Sequence, residues 1–137
     1  MNARFQTLIA EDNAVFRQSL KSVLERRFPE MSIEEAEDGE QAVFRGTAAH
    51  HDLIFMDIKM PGRNGLDATR IIKSRDHEAV VCLCTSYDLP EYRDAAGICG
   101  ADHFIVKDES SESVIVKLVE AVVARRAGSA DAARRAF

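Results

Sequence analysis

No stretch of about 18 apolar residues occurs in this chain, so the sequence gives no reason to expect a membrane-crossing helix. The first residues lack a charged-then-apolar signal pattern, which points to a chain that stays in the cytoplasm. A basic excess is missing too. The net charge is −5 over 137 residues, without the basic stripe that direct nucleic-acid binding needs. Cysteine is scarce. Cys82, Cys84 and Cys99 are odd in number and contain no Cys-x-x-Cys pair, so they read as small buried hydrophobes in a reducing compartment. The four histidines have no metal-site spacing, and His50-His51 is expected in a surface turn before a strand. There is no internal repeat.

What is present fits one compact domain with a sizeable core. Its clearest pattern is a set of polar clusters at the ends of short apolar runs. Glu11-Asp12, Asp57, Thr85 and Lys107 follow Thr7–Ala10, Leu53–Met56, Val80–Cys84 and Phe104–Val106. If the runs are parallel strands, all four clusters meet at one sheet edge, and open α/β sheets bind ligands outside the carboxyl ends of their strands.

The segments between the runs read as helices. Asn13 is a good N-cap for a helix with Phe16, Leu20, Val23 and Leu24 on one face, and Pro29 closes it. Ser32–Ala36 is expected as a short edge strand. Asp38 with Gln41 resembles a capping box opening a second helix. Met60–Gly65 holds Pro61, Gly62, Asn64 and Gly65 and reads as a loop before a helix over Leu66–Arg75. Pro90–Cys99 fits a short helix closed by Gly100. His103–Val106 is the last strand. The final helix shows an apolar stripe of Val114, Ile115, Leu118, Val119, Val122 and Val123. Five strands alternating with five helices imply a doubly wound α/β fold with a parallel sheet and helices on both faces. The domain is expected to end near residue 126, with 127–137 as a flexible tail or the start of a linker.

Taken singly, each polar cluster has a structural explanation. Glu11-Asp12 could be a solvated turn, Asp57 a strand cap, Thr85 a backbone-bonded hydroxyl and Lys107 a surface lysine. Taken together, three carboxylates, a hydroxyl and an ammonium suit a divalent cation and a phosphoryl group. Mg²⁺ takes oxygen ligands and needs only one or two carboxylates beside phosphate oxygens. An aspartate such as Asp57 can act as the nucleophile that forms an acyl phosphate.

These residues resemble the receiver domain of bacterial two-component response regulators, over about residues 5–125. The matching pieces are Leu8-Ile9-Ala10-Glu11-Asp12, Met56-Asp57-Ile58-Lys59-Met60-Pro61-Gly62, Cys84-Thr85-Ser86 and Gly100-Ala101-Asp102-His103-Phe104-Ile105-Val106-Lys107. The resemblance implies a flavodoxin-like sheet of order 2-1-3-4-5. It matches Asp57 to the phosphoacceptor and Glu11 and Asp12 to the metal-binding acids. The main-chain carbonyl of Lys59 matches the third protein ligand for Mg²⁺. Thr85 matches the switch hydroxyl, Lys107 the family's lysine and Phe104 the switch aromatic. Lys59 and Tyr87, each two residues past a key position, are implied to modulate the lifetime of the phosphoryl group. The implied partners are a sensor histidine kinase or phosphotransfer protein, with a homodimer formed on phosphorylation as a further candidate.

Two features depart from the commoner pattern. Many receivers carry a proline after the lysine, often after a cis bond; here Asp108 follows. A cis bond at a non-proline residue costs roughly 3 kcal/mol, so a trans bond is expected. The first acid is Glu11 rather than aspartate, which lengthens its reach by one methylene. Lys107-Asp108 and Phe16-Arg17 resemble the subfamily with helix-turn-helix DNA-binding output domains, which would place the chain in transcription regulation. Two other readings stand beside the switch. One is a phosphatase-type enzyme with an aspartyl nucleophile, which would want a second acid where Lys59 stands. The other is a degenerate receiver that only binds proteins, which the intact set Asp12, Asp57, Thr85 and Lys107 argues against. The switch reading makes the chain no turnover enzyme, assisting only its own phosphorylation and dephosphorylation.

Overall fold

The computed structural model describes the backbone of residues 4–109 and 111–135, and the side chains of 4–108 and 111–128. Its strands are β1 (Gln6–Ala10), β2 (Ser32–Ala36), β3 (Leu53–Asp57), β4 (Val80–Thr85) and β5 (His103–Val106). Its helices are α1 (Ala14–Arg27), α2 (Gly39–Ala48), α3 (Gly65–Arg75), α4 (Pro90–Cys99) and α5 (Glu112–Arg135). All four strand pairs are parallel, in the order β2-β1-β3-β4-β5. This is the doubly wound, flavodoxin-like arrangement, with the short strand β2 at one edge.

Alternation along the strands divides the core into two layers. Leu8, Ala10, Ile54, Met56, Val81 and Leu83 face Ala42, Ala68, Ile72 and Ala96 of α2, α3 and α4. Ile9, Leu53, Phe55, Cys82 and Cys84 face Leu20 and Leu24 of α1 and Ile115, Val119 and Val122 of α5. The central strand β3 is buried along its whole length, as a strand covered on both faces must be.

Local chemistry sets the helix ends. Asn13 accepts from the Phe16 amide at 3.0 Å, Asp38 from Gln41 at 2.8 Å and Asn64 from Asp67 at 2.9 Å. The capping box at α2 closes differently from expectation: Gln41 Oε1 accepts from the amide of Glu37, not from that of Asp38. Pro90 opens α4, and Gly100 ends it in a left-handed conformation with φ 94°.

Two expectations need correction. His51 is not in an exposed turn. It is 1% exposed, and its Nε2 lies 3.0 Å from Glu34 Oε1 on β2. The stripe of α5 is rotated: Val116 is buried, while Val114 is exposed. Helix α5 continues to Arg135, past the boundary expected near residue 126, and residues 136 and 137 of the expected tail lie outside the described residues. Lys107–Glu109 adds a 3-10 turn after β5. Among the described residues there is no cis peptide bond, as expected at Asp108, and no helix is long and apolar enough to cross a membrane.

Candidate phosphorylation site

Strand register assembles the site. Ala10 pairs with Met56, so the residues that follow, Glu11 and Asp57, lie side by side. Asp57 pairs with Cys84, and Thr85 with Val106, which brings Thr85 and Lys107 to the same edge. Glu11, Asp12, Asp57, Thr85 and Lys107 are brought to this edge, and Lys59 and Tyr87 lie next to it, whereas Phe104 lies further back on β5, opposite Leu83.

Glu11 is the deepest acid, at 2% exposure, whereas Asp12 beside it is exposed. Glu11 Oε2 accepts from the amide of Asn13 at 3.0 Å, and Oε1 faces the Lys107 ammonium at 2.5 Å. Lys107 reaches Asp57 Oδ1 at 3.4 Å and lies 4.7 Å from the centre of the Phe16 ring. The lysine is thus drawn more closely to Glu11 than to Asp57. The Glu11–Lys107 pair and the platform under the lysine were not legible in the sequence. The one signal was Phe16, a large aromatic close after the acidic pair.

Burial, followed by the adjoining Glu11 carboxyl, pushes Asp57 up to about 8. Lys107 opposes that rise and Asp12 adds to it. Burial acts to lower Lys107, but contact with Glu11 and the charge of Asp57 outweigh it and hold the ammonium above its ordinary range. Cys84, beneath the site, is held well above the usual thiol range by its neighbour Cys82 and by burial, so it stays an uncharged core thiol.

One carboxylate oxygen from each of Glu11, Asp12 and Asp57 can be chosen so that all three lie within 4.8 Å of one another. Among the described residues this is the one cluster of that kind. Crowded oxygens, one of them on a carboxyl raised by its neighbours, fit a hard divalent cation that would relieve the repulsion.

The rim is aromatic and cationic. The Thr85 hydroxyl is buried and accepts from the Tyr87 amide at 3.0 Å, leaving its own proton available to donate. The Lys59 ammonium lies 4.6 Å from the centre of the Tyr87 ring. Phe104, half-buried, is covered by the Arg93 guanidinium at 4.7 Å, and Arg93 Nε donates to Asp88 at 2.6 Å.

The sequence matches the family description "response regulator receiver domain" over residues 7–120. It is 36% identical over 119 residues to the chemotaxis protein CheY of Halobacterium salinarum, covering 87% of this chain and 98% of that one. It is 33% identical to the transcriptional regulatory protein ResD of Bacillus subtilis, over 81% of this chain but only 45% of ResD. The fold superposes on a two-component response regulator of the LuxR family from Aurantimonas with a TM-score of 0.79, at 25% identity. That match covers 89% of this chain and 86% of that one.

Proposed function

Because the chain belongs to the response regulator receiver family, we propose that Asp57 is its phosphoacceptor and that Glu11, Asp12, Thr85 and Lys107 serve the transfer. The family function is a phosphorylation-dependent signalling switch. Receiver domains take Mg²⁺ at an acidic phosphorylation site and interact with histidine kinases or phosphotransfer proteins. The observation that carries the reading here is the placement of Asp57. It is a buried carboxyl at a strand end, a member with Glu11 and Asp12 of the one such acidic cluster among the described residues, and it faces the Lys107 ammonium.

In this reading an Asp57 oxygen attacks the phosphorus of a partner's phosphohistidine, and the P–N bond breaks. Asp12, Asp57, Glu11 and the main-chain carbonyl of Lys59 would hold Mg²⁺. Bound there, Mg²⁺ supplies charge neutralisation for the phosphoryl oxygens. Lys107 adds a point charge from the other side, and Thr85 donates its free proton to a phosphoryl oxygen. Lys59 against Tyr87 forms a cover over the site that slows an attacking water. Lys59→Ala and Tyr87→Ala should therefore change the dephosphorylation rate more than the phosphorylation rate; unchanged dephosphorylation in both would remove the cover from the mechanism.

The phosphatase-type alternative lacks a second acid, because Lys59 stands two residues after Asp57. Phe16-Arg17, Lys107-Asp108 and the likeness to a LuxR-family regulator support placement ahead of a DNA-binding output domain. The chain spans nearly all of the chemotaxis protein but about half of the transcriptional regulator. The genomic reading frame checks this placement: a stop codon directly after residue 137 contradicts it.

Intact mass tests the phosphoacceptor. After incubation with a small phosphodonor such as acetyl phosphate, the wild type should gain one phosphoryl group with Mg²⁺ and little without it. Asp57→Asn should gain none. Equal gain in the variant would overturn the assignment.

A further inference from the structure

A guanidinium is seldom buried unless every donor has a partner. Arg17 is 8% exposed and occupies the buried stripe of α1 with Leu20 and Leu24. Its fork reaches two separate segments, the turn after β1 and the end of β2. Nη1 donates to the main-chain carbonyl of Glu11 at 2.7 Å. Nε donates to Glu35 Oε1 on β2 at 3.1 Å, and Nη2 approaches Glu37 at 3.5 Å. Glu35 is also paired with Lys21 at 3.0 Å, so it forms a charged anchor for the guanidinium. On the other side of the same residue, the Glu11 amide donates to Ala36 at 2.9 Å.

The Glu11 carbonyl belongs to the planar peptide unit that joins Glu11 to Asp12. Fixing that oxygen fixes the plane from which the Asp12 side chain departs. Glu11 is further tied by Lys107 and Asn13, but Asp12 is exposed and depends on the backbone for its aim. We infer that Arg17 is a positioning residue for the paired acids, holding the Glu11–Asp12 peptide plane so that both carboxylates converge beside Asp57. This rests on the reading of those acids as the Mg²⁺ site. The role requires arginine. The carbonyl is a neutral acceptor that needs a directed N–H, whereas a lysine at 17 would send its compact charge to Glu35 and Glu37.

The test is a titration with Mg²⁺ alone, followed by the amide resonances of Asp12 and Asp57, alongside urea denaturation of each protein. Arg17→Lys retains the charge pairing and should keep most of the stability, yet bind Mg²⁺ about tenfold more weakly, the scale seen when a group that orients a metal ligand is lost. Its Asp12 amide should also shift before any Mg²⁺ is added. Glu35→Gln weakens the tie between α1 and β2 but leaves the carbonyl bond, so it should lose stability while its Mg²⁺ affinity stays within about twofold of wild type. Arg17→Ala should lose both stability and affinity; if it does not fold, Arg17→Lys decides. Wild-type affinity in Arg17→Lys, or an equal loss in Glu35→Gln, would overturn the positioning role and leave the metal site standing. No response of the wild type to Mg²⁺ would overturn the metal reading, and the positioning role with it.

Discussion

At the scale of the residue, Asp57 illustrates what a carboxyl costs at the end of a fully buried strand. Water is excluded, Glu11 adjoins it, and the proton is held up to about 8 instead of near 3.8. In the absence of Mg²⁺ the folded protein thus keeps a proton that the unfolded chain releases. Stability must then fall as pH rises from about 3.8, and the fall is complete once pH passes about 8. Asp57→Asn removes this titration. In metal-free buffer the variant should gain on wild type between pH 5 and pH 8, by on the order of 1 kcal/mol or more. Parallel denaturation midpoints across that range would contradict the strained, protonated Asp57. The residue types at the site were legible in the sequence, since Glu11, Asp12, Asp57, Thr85 and Lys107 all stand at strand ends. Their pairing was not. Glu11 looked like one half of a solvated turn, and only the three-dimensional reach of the Lys107 side chain, from the end of β5 past the ends of β4 and β3, reveals that it seats on Glu11. Arg17 was hidden for the opposite reason. A charge is ordinarily assigned to the solvent face, although the spacing of 17, 20 and 24 already put it on the buried stripe.

At the scale of the element, the strands and most helix ends followed from short apolar runs and capping residues. Pro90–Cys99 and His103–Val106 match the structure end for end. Rotation about a helix axis was less legible. In α5 nearly every position from Val114 to Val123 offers an apolar or small side chain, so the pattern does not say which are buried: Ile115, Val119 and Val122 join the core, and Val116 is buried where Val114 is exposed. His51 was misplaced because a paired histidine before a strand resembles a turn, whereas Glu34 on the edge strand β2, beyond β1, supplies a partner for the buried ring. The contact between α4 and β5 bears on output. Arg93, tied to Asp88, lies over the half-buried ring of Phe104. A contact of this type is worth about 0.5–1 kcal/mol at an exposed site. Arg93→Ala should therefore raise the fraction of inward Phe104 severalfold at most, moving the resonances of unphosphorylated protein part of the way toward the phosphorylated positions. An unmoved Phe104 in that variant would mean that the guanidinium does not hold the ring.

At the scale of the whole molecule, the switch we propose would link the site to an output face through β4 and β5. Phosphorylation of Asp57 would add negative oxygens next to Thr85. The hydroxyl would then be drawn toward them, opening space into which Phe104 turns inward and altering the face formed by α4, β5 and α5. Such a two-state element is biased by a local charge and needs no continuous deformation of the core. A second copy, a DNA-binding domain beyond this chain or another protein could each read that face. Comparison of the amide spectra of free and phosphorylated protein tests the link most directly. The largest changes should fall at Thr85, at Phe104 and across residues 88–108, well beyond the immediate neighbours of Asp57. Changes confined to the surroundings of Asp57 would contradict the switch.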